Sequence, residues 1–195
     1  RDYHRLLAKY GFGPLAQAEV LGIDRVLIST NQVQKRVMDL GRQISQDYAN
    51  KEPILLGVLR GVVCFMADLM REISLPVSMD FMSISSPGAG RSGVHITRAP
   101  TVDIKGKDVI LVEDIMDTGM TLRTILNYLK KRKPASLEVC SLLDKPVRRI
   151  VDIPIRYIGF EIPDEFVVGY GLDYMEKYRN LPFIGILKPE APEGG

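Results

Sequence analysis

The chain has 195 residues, of which 46 % are hydrophobic and 26 % charged, and its formal net charge is +2. This composition is typical of one soluble globular domain with a core of ordinary size. No apolar run approaches the ~20 residues that cross a bilayer, so we expect no membrane partner.

The basic residues and the cysteines indicate which partners and which cellular compartment to expect. The basic cluster at residues 130–133 follows a helical pattern, and cations are favoured at a helix C-terminus. The other cluster, Arg148-Arg149, is short, and we therefore expect no nucleic-acid partner. Cys64 and Cys140 lie in apolar runs without a partner motif, which indicates reduced thiols. With no secretory hydrophobic region near residue 1, a cytoplasmic location is expected.

The first half of the chain alternates helical and strand patterns. Residues 1–26 are weakly periodic and are expected to form an N-terminal extension, possibly loosely ordered. Ser29 and Gln32 have the spacing of a capping box and predict a helix over about 30–48. A buried strand is predicted at 54–59, a helix after Gly61, a strand at 76–85 and a long loop at 88–100.

The second half continues the alternation. Strands are predicted at 108–112, 137–143 and 155–161, with a helical stripe from Leu122 and a flexible tail at 189–195. Strands that alternate with helices favour an α/β fold with a mainly parallel sheet flanked by helices. Ligands of such sheets bind at the carboxyl ends of the strands. Arg60-Gly61 and residues 113–121 both lie at such ends.

The most informative segment is residues 109–121. A buried apolar run leads to Glu113-Asp114, and after two apolar residues come Asp117 and a Thr-Gly-Met-Thr turn that opens a helix. Backbone N–H groups at a helix N-terminus suit a phosphate. Carboxylates beside it suit sugar hydroxyls, a divalent cation or a proton to be removed. An isolated acidic loop is more often simply solvated, but this combination points to a phosphorylated ribose.

A second glycine pattern is misleading. Residues 88–93 have the form G-x-G-x-x-G after a strand, but the dinucleotide fingerprint requires a helix to open at its last glycine. The alternating residues 94–97 and the following Pro100 exclude a helix there. A mobile loop of this kind is often an active-site lid.

Several motifs together resemble a known family. The segment from Glu113 to Thr121 is similar to the phosphoribosyl-pyrophosphate (PRPP) motif of type I phosphoribosyltransferases. Leu59-Arg60-Gly61, Asp144-Lys145 and the run from Phe160 to Tyr174 occur in the order typical of the hypoxanthine–guanine (6-oxopurine) branch. The resemblance implies a phosphoribosyltransferase domain over about 27–188, with a small hood made of N-terminal residues and about 160–188.

The resemblance implies roles at the sugar and phosphate end. Asp117 and the turn would enclose the 5′-phosphate, and the members of that turn are Thr118, Gly119, Met120 and Thr121. Glu113 and Asp114 would hold the ribose hydroxyls, directly or through Mg²⁺, and Asp173 would be a further metal ligand. The pyrophosphate would lie against Leu59, Arg60, Gly61 and Arg179, with a non-proline cis peptide between Leu59 and Arg60.

It also implies a purine site and a catalytic carboxylate. Asp117 is the candidate general base at purine N7, although it could also only orient the base and the turn. Lys145 would donate to the 6-oxo group, because an ammonium has no acceptor for an amino group. Phe166 would stack on the purine and the Val167 backbone would bind its edge, near Asp173; alternatively, Phe166 and Val167 belong to the core of a strand end.

One departure from the family concerns the lid. Ser86-Pro87-Gly88 stands where the family usually has Ser-Tyr-Gly, so the covering tyrosine is missing. Because proline has a fixed φ and no N–H, either the lid closes differently or it excludes water less well.

The expected activity follows from these motifs. The resemblance implies transfer of ribose 5-phosphate from PRPP to hypoxanthine or guanine, with Mg²⁺ as cofactor and a homodimer or homotetramer as the assembly. The alternative is a PRPP-sensing regulator without turnover. It is disfavoured because the chain keeps Asp117, Lys145 and Phe166 and lacks a basic face or a helix-turn-helix.

Overall fold

The computed structural model describes residues 22–85 and 94–188. Most of the predicted extension, the lid residues Ser86-Pro87-Gly88 and the predicted tail at 189–195 therefore lie outside the described residues. The chain divides into two compact units, one containing residues 22–33 and 165–188 and the other residues 34–164. None of the described helices is long and apolar enough to span a membrane.

The larger unit contains a six-stranded sheet. Its strands are β2 (Ile54–Leu59), β3 (Ser78–Ser85), β4 (His95–Arg98), β5 (Asp108–Met116), β6 (Ser136–Asp144) and β7 (Tyr157–Glu161). Their order is β4-β3-β2-β5-β6-β7, and every pairing is parallel except the antiparallel β3–β4 pair. The prediction of a mainly parallel α/β sheet is confirmed.

Helices follow the strands as the apolar periodicity predicts. They are α1 (Thr30–Asp47), α2 (Val63–Glu72) and α3 (Met120–Lys130), and a short 3₁₀ turn spans Pro146–Arg148. The predicted capping box opens α1, because Ser29 N donates to Gln32 Oε1 at 2.9 Å. The apolar stripe of α3 is buried in one cluster with alternate residues of β2 and β5. Both central strands are apolar on both faces, as parallel strands require.

The smaller unit has a three-stranded antiparallel sheet. Its strands are β1 (Ile23–Ile28), β8 (Val167–Val168) and β9 (Ile184–Leu187), in the order β1-β9-β8. A small core of Ile23, Val168, Leu181 and Phe183 packs on this sheet.

Three predictions differ from the structure by a whole strand or by more than two residues. The extension was expected to reach residue 26, but β1 starts at Ile23; register shifts against β9 break the two-residue alternation that identifies a strand. The predicted loop at 88–100 contains β4, in which Ile96 packs on the core while His95 is exposed. Strand β5 continues to Met116, because its ladder with β6 runs past the acidic pair.

Candidate active site

The reversal of strand order between β2 and β5 places a pocket at the carboxyl ends of these strands. Each strand is followed by a loop that turns away to its own helix, which leaves a crevice between the two loops. The pocket has a volume of about 280 Å³. The predicted site residues that line it are Leu59, Arg60, Gly61, Glu113, Asp114, Asp117, Thr118, Gly119 and Thr121. Two predicted sequence motifs therefore meet in one cavity.

The turn that enters α3 has the geometry of an anion site. Gly119 adopts φ +84°, and a Cβ there would lie 2.8 Å from the Val151 carbonyl oxygen, so both conformation and space require glycine. Met120 begins the helix and is half exposed. The first N–H groups of a helix have no partner within it, and the dipole adds a positive end. The turn can therefore hold a phosphate group.

The acidic pair lies on β5 itself rather than in the turn after it. Glu113 stands in register with Ser141 of β6, and Ile115 N donates to Asp114 Oδ1 at 2.8 Å. Burial, and secondarily the charge of Asp114, raises the pKa of Glu113 well above its ordinary value. The ionised form of Glu113 is therefore unfavourable beside Asp114. A bound cation or a hydroxyl donor would stabilise this pair of carboxyl groups.

The loop after β2 approaches this pair closely. The peptide bond between Leu59 and Arg60 is cis, as predicted. A Cβ at Gly61 would lie only 1.6 Å from Asp114 Oδ2, so a glycine is needed for the carboxylate to occupy its position. The side chain of Arg60 is exposed at the pocket.

Asp117 is ion-paired, which the sequence did not predict. Arg148 Nε lies 2.7 Å from Asp117 Oδ1, and Arg148 Nη1 lies 3.4 Å from Asp164 Oδ1. Lys145 is buried, and its Nζ lies 3.9 Å from the same Asp164 oxygen. The sequence held one indication that Arg148 lies near Lys145. Residues three apart in a 3₁₀ turn lie on the same side, and Arg148 follows Lys145 by three positions.

The remaining predicted residues belong to the smaller unit. Phe166 is 56 % exposed and meets the Tyr174 ring edge-to-face, with centroids 5.7 Å apart, whereas Val167 is buried in β8. Arg179 Nη2 lies 2.8 Å from Asp173 Oδ1. Residues assigned separately to the metal and to the pyrophosphate thus form an ion pair.

A dedicated metal cage is absent from the described part of the chain. Within residues 22–85 and 94–188, no three or more His, Cys, Asp or Glu side chains are grouped so as to hold a metal ion. Two carboxylates are nevertheless enough for Mg²⁺, because this ion usually keeps several waters and is bound through one or two carboxylates plus substrate phosphates. The acidic pair therefore fits Mg²⁺.

A parallel α/β sheet with a turn that can hold a phosphate and an acidic pair at its switch point is the arrangement expected of a sugar-phosphate-binding protein. In agreement, the family model described as the phosphoribosyl transferase domain matches residues 28–175. A hypoxanthine phosphoribosyltransferase of Haemophilus influenzae is 52 % identical over 82 % of this chain and 93 % of its own length. A hypoxanthine-guanine phosphoribosyltransferase of Streptococcus pneumoniae is 50 % identical over 87 % of this chain and 96 % of its own.

Solved structures give the same result. A hypoxanthine phosphoribosyltransferase from Staphylococcus aureus is 45 % identical with a TM-score of 0.85, over 89 % of this chain and 96 % of that one. A hypoxanthine-guanine phosphoribosyltransferase from Bacillus anthracis is 46 % identical with a TM-score of 0.82, over 85 % and 99 %. The chain belongs to the hypoxanthine–guanine phosphoribosyltransferase family.

Proposed function

We propose that the chain is a purine-salvage enzyme that transfers ribose 5-phosphate from PRPP to N9 of hypoxanthine or guanine. The products are IMP or GMP and pyrophosphate. The observation that carries this proposal is the pocket in which the phosphate turn, the acidic pair and Asp117 meet. In the reaction the bond from ribose C1′ to the pyrophosphate oxygen breaks, the bond from C1′ to N9 forms, and N7 loses its proton.

The phosphate end of PRPP is assigned to the turn. The amides and hydroxyls of residues 118–121 bind the 5′-phosphate, supported by the open helix N-terminus and by the close approach that Gly119 allows. The ribose hydroxyls lie against Glu113 and Asp114. Binding at fixed positions on a rigid strand end orients C1′ for attack, which is worth more than affinity alone.

Mg²⁺ is the proposed cofactor. Glu113 and Asp114 are proposed to hold it, and Asp173 is proposed as the ligand of a second metal ion. A cation at the acidic pair would relieve the unfavourable ionisation of Glu113. When bound, Mg²⁺ supplies positive charge to the leaving pyrophosphate. Leu59, Arg60, Gly61 and Arg179 are proposed to bind the same pyrophosphate.

The purine end is assigned to Asp117, Lys145 and the Phe166 loop. Asp117 accepts the N7 proton, and Lys145 donates to the 6-oxo group. Phe166, whose ring is largely exposed, stacks on the base, and the Val167 backbone binds its edge beside Asp173. A site built around the buried Lys145 donor rejects adenine, because the 6-amino group is itself a donor and offers the ammonium no acceptor.

Water exclusion, location and assembly complete the proposal. The segment Ser86-Pro87-Gly88 is proposed to act as the lid that protects PRPP from hydrolysis. A cytoplasmic homodimer or homotetramer is proposed, with a hood made of N-terminal residues and about 160–188. The regulator without turnover has no support, since the relatives named above are all called phosphoribosyltransferases.

The test is a spectrophotometric assay with PRPP, Mg²⁺ and each of five bases: hypoxanthine, guanine, xanthine, adenine and uracil. We expect turnover of hypoxanthine or guanine. Turnover of adenine or uracil, with none of the 6-oxopurines, would overturn the proposal. The variant Asp117→Asn should lower kcat by roughly 10²-fold while PRPP affinity stays within several-fold. Undiminished turnover would remove Asp117 from proton transfer.

A further inference from the structure

The segment after Lys145 is hydrogen-bonded to the turn that carries Asp117. We call residues 145–151 the clamp segment. Its Lys145 N donates to the Met116 carbonyl oxygen at 2.9 Å, and Ile150 N and Val151 N donate to the Thr118 carbonyl oxygen at 3.0 and 3.1 Å. Bonds at both ends of the segment fix its backbone against the turn.

Arg148 projects from the middle of the clamp segment to Asp117. The contact of 2.7 Å joins Arg148 Nε to Asp117 Oδ1. Asp117 Oδ1 is shielded from solvent although the whole side chain is 45 % exposed. No described group makes a hydrogen bond to this oxygen, so the contact with Arg148 is an ion pair. One carboxylate oxygen thus faces the guanidinium, and Oδ2 is left for another partner.

Asp164 holds Arg148 from the other side. Its Oδ1 lies 3.4 Å from Arg148 Nη1 and 3.9 Å from Lys145 Nζ. Two carboxylates and two cations therefore alternate, and the network joins the proposed base to the proposed 6-oxo donor. A guanidinium suits this position because it is planar, always charged and presents several donors in a fixed arrangement.

Stability alone does not account for this network. The side chains of Arg148, Asp117 and Asp164 are all nearly half exposed, and ion pairs of that kind contribute little to folding. What distinguishes this network is that Asp117 lines the pocket. In a similar surface group, Arg156 meets Asp47 and Glu138 at 3.1 and 3.5 Å. Arg156 is 44 % exposed, against 47 % for Arg148, and neither of its two carboxylate partners lines the pocket.

We propose that Arg148 is a positioning residue that holds the Asp117 carboxylate by Oδ1 and so presents Oδ2 to the purine N7. This inference rests on the proposed function. Arg148 does not contact the base; it acts through Asp117, and Asp164 keeps the guanidinium in place. General-base help then depends on the clamp segment as well as on the carboxylate itself.

The experiment compares Arg148→Gln, Arg148→Lys and the matched control Arg156→Gln by steady-state kinetics with hypoxanthine and PRPP. We expect Arg148→Gln to lower kcat by roughly 10-fold, a part of the ~10²–10⁴-fold that a general base supplies. The KM for PRPP should stay within about 2-fold of wild type, because the substitution removes no contact that binds PRPP equally in the ground state and the transition state. Arg148→Lys should recover part of the loss, and Arg156→Gln should be unchanged.

A double-mutant cycle separates positioning from a structural effect. In an Asp117→Asn background, Arg148→Gln should change kcat by less than about 2-fold, because residues that act as a unit are not additive. The unfolding midpoint of Arg148→Gln should fall by less than about 4 °C.

Three results would overturn the assignment: an unchanged or raised kcat in Arg148→Gln, the full 10-fold loss persisting beside Asp117→Asn, or an equal loss in Arg156→Gln. Failure of the proposed function is a different result, since wild-type protein would then turn over none of the 6-oxopurines.

Discussion

A methyl group added at Gly61 tests whether the loop after β2 keeps the acidic pair of β5 in place. In Gly61→Ala the new Cβ would lie 1.6 Å from Asp114 Oδ2, whereas real contacts of a Cβ are essentially never under 3.0 Å. The shortfall is 3.0 − 1.6 = 1.4 Å. Asp114 Cγ would also be too close, at 2.8 Å, whereas Asp114 Cβ is 3.6 Å away. Rotation of the side chain about its Cα–Cβ bond therefore relieves the clash.

Rotation has a stability effect and a larger functional one. The hydrogen bond from Ile115 N to Asp114 Oδ1 is lost and the rotamer is less favourable, together about 1–3 kcal/mol of unfolding free energy. A misplacement of about 1 Å in a binding group can lower activity ~10²-fold. We therefore expect Gly61→Ala to fold, to bind PRPP with Mg²⁺ weakly, and to lose roughly 10²-fold in kcat/KM.

Denaturant unfolding and titration of PRPP, each with and without Mg²⁺, measure the two effects. The control removes the clash: in an Asp114→Ala background, Gly61→Ala should cost almost no stability. A penalty that persists in that background would show that the alanine clashes with something other than the carboxylate. Activity within about 3-fold of wild type would refute the argument that Gly61 keeps Asp114 in place.

Three further predictions concern stability. Asp80→Asn should cost about 1.5–3 kcal/mol, because the buried carboxylate accepts bonds from Thr101 N and Oγ1 among others. Although burial acts to raise the pKa of Asp80, these donors lower it below 3.8, so the stability is present above that pH and is lost as pH falls through the folded pKa. Glu113→Gln should stabilise the fold by roughly 1 kcal/mol while weakening activity, since it removes a partly buried carboxyl whose raised pKa shows that its ionised form is unfavourable. Arg149→Met should cost about 3–5 kcal/mol, because it leaves the buried Asp144 carboxylate without its ion-pair partner.

Chemical denaturation between about pH 3 and 8 checks all three. The Asp80 argument fails if the wild-type advantage over Asp80→Asn is undiminished in acid. A destabilised Glu113→Gln would contradict the view that the ionised carboxyl is strained by burial. For the buried pair, Arg149→Met as stable as wild type would mean that Asp144 is solvated without the arginine.

The fold was largely predictable where periodicity is strong. The apolar stripes of α1 and α3 have helical spacing, and β2 and β5 contain continuous apolar runs. The predicted bounds of these four elements agree with the structure within a few residues. Strand β4 was missed because its alternation lies beside a glycine-rich loop and its partner is β3. The start of β1 was missed because its partner, β9, lies about 160 residues away in the chain and the pairing is irregular.

The residues of the candidate site were largely predictable from local sequence motifs, but the ion pairs between them were not. The Asp117 turn and the loop at Gly61 can be recognised in the sequence, because each needs a glycine at one position. The ion pair from Arg148 to Asp117 joins residues 31 apart, and Arg148 beside Arg149 has the pattern of a solvated surface pair. The structure instead gives the two arginines different surroundings, since Arg149 pairs with buried Asp144.

The bonds between the clamp segment and the Asp117 turn have a consequence for amide exchange. Lys145, Ile150 and Val151 lie outside the strands and helices, yet their N–H groups are engaged by carbonyls of residues 116 and 118. Their deuterium uptake should therefore be slow, and it should accelerate at all three amides together when the turn opens. The loop after β6 and the loop after β5 would then unfold as one cooperative piece, a coupling that neither loop's own sequence encodes.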